Sequence, residues 1–598
     1  MSATVVSTFL DRTTSQPDAT AFRRKVDGQW TPISWSEYGS LVQRASQGLR
    51  SLGLGAGDKA AILSGNRYEW HVADIATQAT GGATAPIYPT NSPSQVVYIA
   101  GHCEAKAIFV ENGPQLAKVL EKRADLPALT AAIVFDPAGV TLDDFAISFD
   151  QLLARGEEFI AANPTDFDDR VAAIEPGDLA TLVYTSGTTG PPKGAMLSHA
   201  NVVWTCGSLD TVLAGEPGDR RLSYLPLSHI AERMTSHFLG IYQGFEVWFA
   251  ESLDTLREDL VACKPTVFFG VPRVWEKFYA GITALIAGLP DEQRDKAEQA
   301  VALGLKRVEA QQAGTSLPPE LEEKYQEADA SLFALARAAL GLNEARAMIS
   351  GAAPINPEVL RFFHAIGLPV AEVYGQTEDC GPSTINRVDG IKIGTVGPAI
   401  PGTEVRIAED GEILVKGGNV GLGYFKDPLA TEELIDADGW MHSGDIGVLD
   451  GEGYLTITDR KKDLIITAAG KNVAPQVIEN MLKYSPWISQ SVVVGDKRPY
   501  LIALLTLDQE KVTEFAEQKS IPHEDFASLV GHPDVQQLVE NAVAEVNADL
   551  AKPEQIKKRH VFDRDFDMAA EELTPTLKVR RAAIIDKYAD LIDDLYAS

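Results

Sequence analysis

Short apolar runs alternate with helix-spaced segments along the first two thirds of the chain. Lys59–Leu63, Ala83–Tyr88, Ala107–Val110 and Ala132–Phe135 read as buried strands, being short, rich in small and branched residues and bounded by turn formers. Between them Pro93–His102 and Gly113–Ala124 carry helical spacing. Strands separated by helices predict parallel sheets in layered α/β units. The rhythm resumes at Leu179–Thr185 and continues through Leu222–Pro226, Glu246–Ala250, Thr266–Gly270, Arg346–Ser350 and Leu368–Val373.

Two stretches break this rhythm. Residues 290–342, dense in Ala, Glu, Gln, Lys and Leu, read as a helical insertion interrupted near Gly314–Pro319. From about Gly394 the pattern turns to hairpins: Glu404–Arg406 and Glu412–Lys416 flank Glu409-Asp410-Gly411, a turn signal between strands. Gly451–Thr458 and Ser491–Leu507 read as strands, the latter bent at Lys497-Arg498-Pro499, and Val535–Asp549 reads as a helix. The fold class expected is α/β: a large N-terminal domain of layered α/β subdomains plus a small α+β C-terminal domain.

The 598 residues exceed a single compact unit, since domains run to ~100–200 residues. Lys and Arg number 53 against 84 Asp and Glu, a net charge of -31. Such a field repels phosphate backbones and argues against nucleic acid as a partner. Cys103, Cys206, Cys263 and Cys380 are far apart, which excludes a disulfide framework or a CxxC zinc site and suits a cytoplasmic protein. No basic start precedes an apolar stretch and no run of 18 apolar residues occurs, so neither a secretory signal nor a membrane span is expected. Peripheral contact with a bilayer and the oligomeric state stay open.

The segment with the most chemistry is Tyr184-Thr185-Ser186-Gly187-Thr188-Thr189-Gly190-Pro191-Pro192-Lys193-Gly194, directly after an apolar strand. Glycines bring backbone N–H groups close to a ligand, hydroxyls add donors and the lysine adds charge, which together suit a polyphosphate. It is not the Walker pattern, because no Gly-Lys-Ser/Thr ends it.

This run resembles the phosphate loop of the adenylate-forming superfamily, which comprises acyl-CoA synthetases, peptide-synthetase adenylation domains and luciferases. Further motifs follow in family order over nearly the whole chain. The resemblance implies that Thr185, Ser186, Gly187, Thr188, Thr189, Gly190 and Lys193 bind ATP phosphates. It implies that Gly351, Ala352 and Ala353 of Ser350–Pro354 lie against adenine. In Tyr374-Gly375-Gln376-Thr377-Glu378, the aromatic packs on adenine, Thr377 contacts the α-phosphate, and Glu378, with Thr185, holds Mg²⁺. Asp445 of Ser443-Gly444-Asp445 would accept from the ribose hydroxyls, and Arg460 would contact ribose or phosphate. Lys462 stands at the hinge position, which puts the domain boundary between residues 461 and 462. Gly470 and Lys471 match the pantetheine channel, although many relatives carry a glycine where this chain has Ala469. Lys578 matches the catalytic lysine, with Thr576-Leu577 in place of the common Ser-Gly.

His229 in Leu225–Arg233 matches the position near the substrate carboxylate; a histidine merely satisfied at a strand end is the plain alternative. Gly270–Lys277 and the insertion resemble long-chain fatty acyl-CoA synthetases, including the bubblegum-type branch. The implied activity is conversion of a long-chain fatty acid by ATP to acyl-AMP with pyrophosphate release, then transfer to CoA. The alternatives are a fatty acyl-AMP ligase serving a carrier protein, a luciferase-type oxygenase and a non-catalytic acyl-nucleotide sensor. Partners implied are fatty acid, ATP and CoA. Acyl chain length is not readable from the sequence.

Overall fold

The computed structural model describes residues 3–185, 191–468, 472–568, 570–574 and 578–597. Its centre is a seven-stranded sheet in the order Ala146–Ser148, Ala131–Val134, Ala105–Val110, Lys59–Leu63, Ala83–Ile87, Leu179–Thr185, Lys193–Ser198. All neighbours are parallel except the last pair, which is antiparallel with Thr185 opposite Lys193. Lys59–Leu63 has four of its five residues fully buried, as expected of a parallel strand covered by helices on both faces.

A second, four-stranded sheet runs Val267–Gly270, Ala347–Ser350, Val370–Tyr374, Thr384–Ile385; its first three strands are parallel. Between the first two lie the helices Pro272–Ala287, Asp291–Gln312 and Pro319–Ala328, a π-helical turn Asp329–Phe333 and the helix Ala334–Ala339. They pack Trp275, Tyr325 and Phe333 into one core with Phe268, Leu360 and Phe363. The expected break at 314–319 falls in the loop before Pro319.

Strands Glu404–Ile407, Glu412–Lys416, Met441–Leu449 and Leu455–Arg460 form an antiparallel sheet. The expected strand Gly451–Thr458 begins only at Leu455, because Asp450–Gly453 closes a turn. The C-terminal domain has its own sheet, Ile488–Val494, Leu501–Leu507, Ile556–Val561, and its own apolar core around Ile478, Leu505 and Val539. The run read as one bent strand is therefore a hairpin, its turn at 495–500. Among the described residues no helix is long and apolar enough to cross a membrane.

Candidate functional site

The carboxyl ends of three parallel strands and one antiparallel hairpin converge, the usual place for ligands in open α/β sheets. Thr185 closes its strand and Lys193 opens the antiparallel partner. Ser186, Gly187, Thr188, Thr189 and Gly190 lie outside the described residues. Thr185 Oγ1 donates to Glu378 Oε1 at 3.5 Å, and the Tyr424 hydroxyl donates to the same oxygen at 2.7 Å. Lys193 Nζ stands 3.5 Å from Asp427 Oδ2 and 5.1 Å over the Tyr424 ring. Hard oxygen donors beside an ammonium suit a magnesium ion carried chiefly by phosphate oxygens. Among the described residues no group of three or more His, Cys, Asp or Glu gathers as a self-sufficient metal cage.

The nucleotide side rests on close backbone approach. A Cβ on Gly351 would fall 2.5 Å from Val373 Cγ1. Ala352 holds a left-handed φ of 70°, which costs an L-residue about 1–2 kcal/mol, and it turns the chain so that Ala353 is exposed at the rim. Strain of this kind collects where a ligand is bound. At Gly375 an added Cβ would stand 1.6 Å from the Gly381 carbonyl oxygen, so the turn after Tyr374 admits no side chain.

Tyr374 Oη and Gln376 Nε2 both donate to Asp445 Oδ2, at 2.8 and 2.6 Å. Gln376 Nε2 also reaches the Ser443 carbonyl at 2.8 Å. Asp445 faces Arg460, its antiparallel neighbour, with Oδ1 at 3.4 Å from Nε. One carboxylate is thus fixed from three sides while its Oδ1 keeps acceptor capacity. Asp379, wholly buried, accepts from the Gln376 N–H and the Ser383 hydroxyl, each at 2.6 Å. Burial pushes its carboxyl up to about 8. It closes the turn that carries Thr377, itself buried, and Glu378.

Lys578 arrives from the far end of the chain. Thr574 N–H donates to its carbonyl at 2.8 Å and its own N–H donates to Thr574 Oγ1 at 3.0 Å; Leu573 pairs with Val579. This closes a hairpin whose tip, 575–577, lies outside the described residues. Its ammonium feels the charges of Arg460, Asp445 and Glu378. Desolvation first, then Arg460, lowers its pKa to about 8 against the opposing pull of the two acids. His229 joins the same place: burial, then the Lys578 charge, holds its imidazole down at about 3. Its Nδ1 accepts from the Ala231 N–H at 3.2 Å, so the neutral ring carries its proton on Nε2 and presents a donor.

Arg460 ends its strand and a turn follows at 461–463. Lys461 Nζ is tied to Asp410 Oδ2 at 2.6 Å and Glu412 Oε2 at 2.8 Å, whereas Lys462 is exposed on the turn. Gly470 and Lys471 lie outside the described residues.

Residues 9–425 match the AMP-binding enzyme family and residues 462–598 match the AMP-binding enzyme C-terminal domain. The chain belongs to the AMP-binding enzymes. It is 36% identical over 600 residues to the long-chain-fatty-acid–CoA ligase FadD15 of Mycobacterium bovis, covering 99% of this chain and 97% of that one. It is 34% identical to the long-chain-fatty-acid–CoA ligase ACSBG2 of Xenopus laevis, covering 99% of this chain and 84% of that one. Among solved structures, the adenylation domain of a carboxylate reductase from Mycobacterium chelonae superposes with a TM-score of 0.75 at 20% identity, covering 100% of this chain and 92% of that one. An anthranilate CoA ligase bound to anthranoyl-AMP superposes with a TM-score of 0.74 at 18% identity, covering 99% and 98%. At those identities the likeness establishes the fold.

In this AMP-binding enzyme the structure gathers Thr185, Glu378, Asp445, Arg460, His229 and Lys578, residues dispersed over most of the chain. Sequence reading passed over Tyr424, Asp427 and Asp379. Asp379 is adjacent to Glu378 and could have been weighed as its support. Tyr424 gave only a weak signal, a tyrosine after Gly421-Leu422-Gly423.

Proposed function

We propose that the chain is an ATP-dependent long-chain fatty acid–CoA ligase that works in two half-reactions. A carboxylate is an inert electrophile. Its oxygen attacks the α-phosphorus of ATP, the bond to the departing pyrophosphate breaks, and acyl-AMP results. The coenzyme A sulfur then attacks the acyl carbonyl, losing its proton, and AMP leaves. What carries this reading is the whole-length likeness to long-chain-fatty-acid–CoA ligases together with the pairing of Thr185 with Glu378 and the fixing of Asp445 by Tyr374, Gln376 and Arg460.

Asp445 accepts from ribose, with Tyr374 and Gln376 holding it. Glu378 and Thr185 would hold Mg²⁺, which supplies positive charge against the phosphate oxygens. Lys578 faces the charge that builds at the α-phosphate, and Lys193 faces the leaving phosphates. His229 Nε2–H donates to the acyl oxygen. Positioning and electrostatics supply the rate, without a protein nucleophile. The boundary we propose lies between 461 and 462, where Lys461 is ion-paired to Asp410 and Glu412 and the exposed Lys462 would pivot, so that the Gly470–Lys471 segment would replace Lys578 for the CoA step.

The long-chain assignment follows the whole-length relatives. Such acids partition into bilayers, and we place the reaction in the cytoplasm with membrane-held acid as its source. The test is pyrophosphate release across fatty acids of rising length, with and without CoA. CoA-dependent turnover that peaks with long chains supports the ligase. Release followed by acyl transfer only to a carrier protein would replace it with the acyl-AMP ligase.

A further inference from the structure

Residues 421–427 belong to none of the motifs that pointed to adenylation, yet they run through the site. Gly421 N–H donates to the Glu378 carbonyl at 2.8 Å, Leu422 N–H to the Met196 carbonyl at 2.9 Å, Met196 N–H to the Gly423 carbonyl at 2.9 Å and Phe425 N–H to the Gly194 carbonyl at 2.8 Å. Tyr424 pairs antiparallel with Ala195. The segment therefore lies as an added edge along the strand that begins with Lys193, and at the same time grips the backbone of Glu378. The approach is close enough to exclude a side chain: a Cβ on Gly421 would fall 2.8 Å from the Met196 carbonyl oxygen and 3.1 Å from that of Glu378.

The side chains repeat this double attachment. The Tyr424 hydroxyl donates to Glu378 Oε1 at 2.7 Å, and its ring lies under Lys193 Nζ at 5.1 Å. Asp427, three residues on, faces the same ammonium at 3.5 Å. Tyr424 is half-buried, and its N–H is held by Thr431 Oγ1 at 2.9 Å. A side chain so fixed, touching both the acid and the phosphate-side lysine, can set the distance between them.

We infer that Tyr424 is a positioning residue for the adenylation step: its phenol fixes Glu378 through one oxygen, leaving the other for the metal–nucleotide, and its ring seats Lys193. This rests on the adenylation reading above. A carboxylate free to rotate would present either oxygen, or both, in varying geometry; one hydrogen bond removes that freedom before substrate binds. Outer partners of metal-binding groups typically govern 10–100-fold in metal affinity.

The test uses the full chain, Tyr424→Phe and Tyr424→Leu. Binding of Mn²⁺ with a non-hydrolysable ATP analogue is followed by electron paramagnetic resonance, and the two half-reactions are assayed separately. Tyr424→Phe should weaken Mn²⁺ binding by about 10–100-fold, shift the Mg²⁺ requirement of acyl-AMP formation upward by the same factor, and recover at high Mg²⁺. Its conversion of supplied acyl-AMP with CoA should match wild type. Tyr424→Leu should in addition raise the KM for ATP at saturating metal. Wild-type Mn²⁺ binding by Tyr424→Phe overturns the inference, as does an equal loss in both half-reactions that metal does not relieve. If the wild-type chain itself makes no acyl-AMP, the adenylation reading fails instead.

Discussion

Replacing Lys578 isolates the electrostatics of the site. In the docked arrangement its pKa falls from an ordinary 10.5 to about 8, a difference worth about 3 kcal/mol at 1.36 kcal/mol per pH unit. The docked state binds the proton less tightly than the undocked one. Below pH 8 the full penalty therefore opposes docking of the charged lysine, and it fades as pH rises from 8 toward 10.5. Catalysis as proposed above runs the other way, because it calls for the ammonium in adenylation. The kcat/KM for ATP in acyl-AMP formation should fall above about pH 8, reporting the free enzyme. The kcat limb should lie at higher pH, since bound phosphates hold the proton on.

Lys578→Ala should lower acyl-AMP formation by about 10²–10³-fold, the loss that follows removal of one donor aimed at developing charge. It should leave thioester formation from supplied acyl-AMP nearly intact. Lys578→Arg keeps a charge at all accessible pH and should lose the alkaline limb even if its rate is lower. The measurements are pyrophosphate release and acyl-CoA formation from pH 6 to 10. An unchanged alkaline limb in Lys578→Arg, or equal damage to both half-reactions in Lys578→Ala, refutes the placement of this lysine.

Lys462→Pro, which stiffens the turn where the C-terminal domain pivots, should spare pyrophosphate release and block acyl-CoA formation; normal overall turnover counts against the hinge. Asp445→Asn keeps the shape but removes the charge that Tyr374, Gln376 and Arg460 surround, and should raise the KM for ATP by about 10–100-fold, the value of a charged hydrogen bond; steady-state kinetics decide it. His229→Ala should cut kcat/KM for the acid while His229→Gln restores part of it. The wild type should also show no limb near pH 6.5, because burial holds His229 neutral down to about 3; a limb there that His229→Gln abolishes contradicts the neutral state of this ring. Gly375→Ala forces a Cβ to 1.6 Å from a carbonyl and should destabilise the chain by more than about 3 kcal/mol, read by urea denaturation.

Strands came through the sequence where an apolar run ended against turn formers. Lys59–Leu63, Leu179–Thr185 and the helix Pro93–His102 have the expected bounds. Leu222–Pro226 was displaced to Arg220–Ser223 because a buried arginine, Arg221, lies in the strand and its apolar partner residues continue into the loop toward His229. The antiparallel Lys193–Ser198 was not legible, since Lys-Gly-Ala-Met-Leu-Ser neither alternates nor forms an apolar run. In the site, residues set in dense chemical motifs could be read from the letters. Tyr424 could not, because its meaning comes from Glu378, 46 positions earlier, and from a sheet edge that exists only after folding.

These two kinds of residue divide the work of the enzyme. Tyr424 holds the Glu378 carboxylate, Asp379 closes the turn that carries it and the turn at Gly375 admits no side chain, so on the function proposed above this side would be in place before ligand arrives. Lys578 is held differently: with no nucleotide its charged form is disfavoured in the docked place, and only opposing acids, Asp445 and Glu378, pull against that. On the function proposed above, a bound triphosphate would add the negative charge that draws the lysine in. Once pyrophosphate had left, the acyl-adenylate would carry far less charge, and the desolvation penalty would again be opposed mainly by the two acids. On the function proposed above, the reaction itself would thus weaken the contact that the first half-reaction requires, and the exposed Lys462 beside the ion-paired Lys461 would give the released domain a place to turn.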